Sequence, residues 1–68
     1  MTIDYDTFLA NRFRIIDAMR SSGGNFARCF ADALAAADPL HRSRLFAAEA
    51  DLIALYGPGS RAFEKTPA

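Results

Sequence analysis

Asp38-Pro39 is the dipeptide that the rest of this 68-residue chain has to fold around. Before it, Phe26, Phe30, Ala33, Leu34 and Ala37 recur at the spacing of one helical face, and after it Leu45, Ala48, Leu52, Leu55 and Tyr56 repeat the pattern. An aspartate accepts hydrogen bonds from the free N–H groups that open a helix, and a proline at the first helical position has no N–H to leave unpaired. The pair therefore ends one helix and begins the next. The expected fold is all-α, two to three short helices with a helical hairpin hinged at Asp38-Pro39.

A first helix precedes this unit, capped by Asp4 or Asp6, with Tyr5, Phe8, Leu9, Phe13, Ile16 and Met19 on one broad side. Ser21-Ser22-Gly23-Gly24 ends it, the glycines being expected to take the left-handed C-cap conformation, and Asn25 is expected to cap the second helix. The third helix is expected to run unbroken from Pro39 to Tyr56 and to stop at Gly57-Pro58-Gly59. Residues 1–59 then form one helical domain. Residues 60–68, polar apart from Phe63, are expected to be a flexible C-terminal tail.

A chain of this size buries only about 60% of its unfolded surface, so extra burial is needed from a disulfide, a metal or another subunit. Cys29 is the single cysteine and no Cys/His cluster offers a structural metal site, which leaves a homodimeric bundle as the expectation and a monomeric three-helix bundle as the alternative. Eight basic and eight acidic side chains balance, so neither the basic excess of a counterion-releasing nucleic-acid binder nor the acidic excess of a DNA mimic is present. No apolar run reaches membrane-span length, and Met1-Thr2-Ile3-Asp4 lacks the basic start of a signal peptide. The expected location is the cytoplasm of the cell that makes it.

Chemistry is hard to place on these residues. Asp38, His41 and Ser43 lie within one turn of each other without an oxyanion framework, and read as a cap with solvated first-turn neighbours. Cys29 shares a face with Phe26, Phe30 and Ala33 and reads as a small buried hydrophobe. The expectation is no catalytic residue, no metal and no cofactor. Phe46, Ala50 and Ile53 form a second apolar line on the third helix, displaced from Leu45, Leu52 and Tyr56. Two readings of that line stay open: it fills a core, in one chain or between two copies, or it faces a partner. On the second reading Phe46 and Ile53 are the apolar contacts and Arg42 and Arg44 the charged rim, with Arg28 near the hinge. A helix-turn-helix DNA reader is the competing class.

From Asn25-Phe26 through Ala33, Ala37-Asp38-Pro39, Arg44-Leu45, Leu52 and Tyr56 the chain resembles a group of small proteins of temperate phages and prophages of proteobacteria. The match covers about half the chain. In that pattern Asn stands where this chain has His41, and Phe-Pro stands where it has Glu49-Ala50. Without the proline the third helix is expected to continue, with Phe46 supplying the aromatic volume. The resemblance implies a small protein that binds and inhibits a host protein: a quorum-sensing transcription regulator, a type IV pilus motor or a CRISPR effector complex.

Overall fold

The computed structural model describes residues 2–67. Five helices follow one another: α1 (Tyr5–Ser22), α2 (Asn25–Ala36), α3 (Pro39–Ala48), α4 (Ala50–Ala54) and α5 (Arg61–Lys65). Asp4 caps α1, its Oδ1 accepting the Thr7 N–H at 2.7 Å. Asp38 caps α3 in the same way through the His41 N–H at 2.8 Å, with Pro39 in the first turn. The fold is all-helical. Its main hairpin is α1 against α2, turned at Gly23-Gly24, while α5 packs on α1. At Asp38-Pro39 the chain passes from α2 into α3.

Phe8, Ile15, Ile16 and Met19 of α1 meet Ala27, Phe30, Ala31 and Leu34 of α2, with Ile53 from α4 and Phe63 from α5 closing the core. Sequence spacing explains the phase: 8, 15, 16 and 19 lie on one side of α1, and 27, 30, 31 and 34 on one side of α2. Gly23 sits where the two helices come closest. A Cβ built on it would lie 2.5 Å from the Met19 carbonyl oxygen and 2.6 Å from the Ala27 Cβ, so only glycine fits. Its φ is −87°, an extended conformation rather than the expected left-handed cap. Gly24, not Asn25, takes the N-cap position of α2, and the Asn25 side chain accepts a bond from Arg28 instead.

Two expected elements are corrected. The third helix breaks at Glu49, whose backbone lies at φ −129°, ψ 38°, although the Glu49 N–H still reaches the Leu45 carbonyl and the Ile53 N–H the Glu49 carbonyl. Neither Pro nor Gly occurs there. The cause is tertiary: α4 drives Ile53 and Ala54 into the core, whereas α3 buries none of its residues and lies along the rim. The expected tail is helical as well. Ser60 caps α5 by accepting the Phe63 N–H at 3.1 Å, Phe63 is 4% exposed, and Arg14 donates from Nε to the Thr66 carbonyl at 2.9 Å with its guanidinium 4.1 Å from the Phe63 ring centre. One buried aromatic and one long-range arginine are enough to hold the segment down. Ala68, the last residue of that expected tail, lies outside the described residues.

Candidate functional site: the outer face of α3

Phe46, Ile53, Arg42 and Arg44 are not brought together as one surface. Ile53 is fully enclosed at 0% exposure, so it belongs to the core of a single chain and cannot touch a partner while the chain is folded. Phe46 is half-buried. Its ring centre stands 5.1 Å from Tyr5, edge to face, and 5.1 Å from Phe8, so it is the aromatic peg that holds α3 onto the start of α1. The line from Phe46 to Ile53 thus turns inward.

That inward turn fixes what α3 shows outside. With Arg42, Leu45 and Phe46 on the half-buried side, Leu40, His41, Arg44, Ala47 and Ala48 are exposed. Leu40, at 55% exposure, is the largest apolar group there. Neither arginine pairs with a carboxylate among the described residues, where the ion pairs are Arg20 with Asp32 and His41 with Asp38. Arg42 and Arg44 are left as cations on a helix that carries no acidic residue between Pro39 and Ala48.

The Asp38–His41 pair closes the N-terminal end of this face. Both Asp38 oxygens lie 3.0 Å from His41 Nδ1, and Oδ1 also accepts the His41 backbone N–H. That backbone bond first, and the ring second, hold the Asp38 carboxyl below its ordinary range. The Ser43 hydroxyl donates to the Leu40 carbonyl at 2.8 Å rather than to the ring. Among the described residues no three His, Cys, Asp or Glu side chains group as metal ligands.

Other exposed apolar groups stand elsewhere. Phe13 is 70% exposed with the Arg12 guanidinium 4.5 Å from its ring centre, and Leu55 is 59% exposed beyond α4. Phe26, expected on the buried stripe, is 63% exposed and stacks on the buried Phe30 ring at 6.1 Å. Cys29, expected inside, is exposed as well. The α2 stripe is wider than one contact can cover, and α1 takes the side of 27, 30, 31 and 34 rather than that of 26, 29 and 33. Comparison of the chain with protein families, with curated proteins and with solved structures returns no match.

Proposed function

We propose that this chain is a non-catalytic interaction module that binds a protein partner through the outer face of α3, with Leu40 as the apolar anchor, Arg44 as the cation on that face that orients an acidic surface, and Arg42 flanking it from the half-buried side. The observation that carries the reading is the imbalance on α3: it buries no residue of its own, exposes Leu40, and pairs neither arginine with a carboxylate among the described residues. An apolar side chain contributes affinity by leaving water, and rim cations speed encounter and fix orientation. The phage and prophage resemblance extends the proposal to inhibition of a host protein in the bacterial cytoplasm. That extension is supported by the motif around Asp38-Pro39.

The reading is tested by capturing proteins from bacterial lysate on the wild-type chain and on Leu40→Glu/Arg44→Glu, with circular dichroism on both. A partner retained by the wild type and lost by an equally helical double variant is the expected result. Equal capture by both removes α3 as the site. A second reading gains from the same geometry, because with Phe46 and Ile53 turned inward the outer face of α3 carries His41 and Arg44 in the place a recognition helix would use. A gel shift that survives physiological salt with sequence preference would favour that DNA-binding reading; weak binding that vanishes with salt would not.

A further inference from the structure

We infer that α2 pairs with α2 of a second copy of this chain, antiparallel, along the seam Phe26, Cys29, Ala33 and Ala36. All four side chains are exposed, although three neighbours on the same helix, Ala27, Ala31 and Leu34, are buried against α1. Their spacing is i, i+3, i+7, i+10, the alternation of threes and fours that keeps one narrow line of a helix facing another helix. No charge interrupts that line. The small side chains at 29, 33 and 36 let two helix axes approach to the short end of the usual range, about 8 Å.

Size and charge together select a second copy in antiparallel orientation. A two-fold axis between Cys29 and Ala33 sets Phe26 of each chain opposite Ala36 of the other, large against small, and Cys29 opposite Ala33. Parallel pairing would instead set ring on ring at one end and leave a gap at the other. The flanking charges agree. Antiparallel pairing puts the flanks that carry Arg28 and Asp32 on the same side of the seam and brings Arg28 within a turn of the other copy's Asp32, whereas parallel pairing puts those flanks on opposite sides and leaves Arg28 without a carboxylate of the other α2. Among the described residues of one chain Arg28 bonds only the neutral Asn25 side chain, at 2.6 Å, so its charge is available; Asp32 already faces Arg20 at 2.9 Å and gains a second cation.

A 12-residue helix is about 18 Å long, so this contact falls at the small end of protein interfaces, where association is reversible and depends on concentration. The surface is separate from the outer face of α3.

Sedimentation of the wild type from micromolar to millimolar concentration, beside Ala33→Glu, tests the pairing. The wild type is expected to shift from the 7.4 kDa monomer to twice that mass. Ala33→Glu, at an exposed position, is expected to keep its helicity and to weaken the dimer about a hundredfold by placing two carboxylates near the axis. The native thiol supplies a readout of geometry: two Cys29 residues four positions apart across the axis lie ~10 Å from each other, so a bismaleimide of that reach should link wild-type chains. A wild type that stays monomeric at millimolar concentration, a dimer indifferent to Ala33→Glu, or a dimer in which Cys29 does not cross-link overturns the proposal.

Discussion

The hairpin of α1 and α2 and the helix α3 are built from similar residues and are held in opposite ways. Between them α1 and α2 supply eight of the ten side chains of the core cluster, and α5 is clamped to α1 by Arg14 and Phe63. α3 supplies none of the buried residues, and is held by the half-buried Leu45 and Phe46 on one side and by the Asp38 cap at its start. The contrast separates the part that builds the core from the part that only leans on it. The residues that make the core sit mainly on α1 and α2, and α3, which buries none of its own, turns most of its side chains to solvent.

The largest effect should come from the covered region. Phe8→Ala, at a position with no exposure, is expected to cost about 3–5 kcal/mol and to leave a chain this small largely unfolded by circular dichroism. Phe46→Ala should cost about 2 kcal/mol, because a half-buried ring loses less than an enclosed one. If it costs as much as Phe8→Ala, α3 is as integral as the hairpin and the contrast fails. Gly23→Ala is expected to cost about 1–3 kcal/mol, since the new methyl meets the Met19 carbonyl oxygen and Ala27. Leu40→Glu should lie within about 0.5 kcal/mol of wild type in urea denaturation, as an exposed substitution does.

The smallest effect is the acid response of the caps. Asp38 and Asp4 both titrate below the ordinary carboxylate value because a backbone N–H, of His41 and of Thr7 respectively, bonds the charged form. A carboxyl lowered on folding stabilises above its unfolded pKa and loses that contribution as pH falls through the folded one. Denaturation midpoints should therefore hold at neutral pH and decline in acid. In Asp38→Asn that decline should be shallower than in wild type.

The sequence made some of this legible and concealed the rest for physical reasons. Asp38-Pro39 and Asp4 could be read because a cap is chemistry between neighbours in the chain. The side that each stripe would bury could not, because periodicity gives the phase of a helix and not the direction from which its partner arrives. Phe26 and Phe46 show this: the first, expected inside, stands 63% exposed, while the second, expected either in a core or against a partner, pegs α3 to Tyr5 and Phe8. The break at Glu49 had no local marker. Among the expected site residues Arg44 is exposed on α3 and Arg42 half-exposed, and Leu40, which completes that face, had given no signal beyond its place just after the proline.

The bond from Arg14 to Thr66 spans 52 positions, and this sets a time order on folding. Most helical contacts join neighbours in the chain and can form as soon as a segment is free to coil. The slot that Phe63 fills lies on α1, yet its occupant is synthesised only after α2, α3 and α4. Until residue 66 has been made, a nascent chain carries an open apolar notch on α1, and the ring closed by Arg14 and Thr66 forms only after all the helices between them exist.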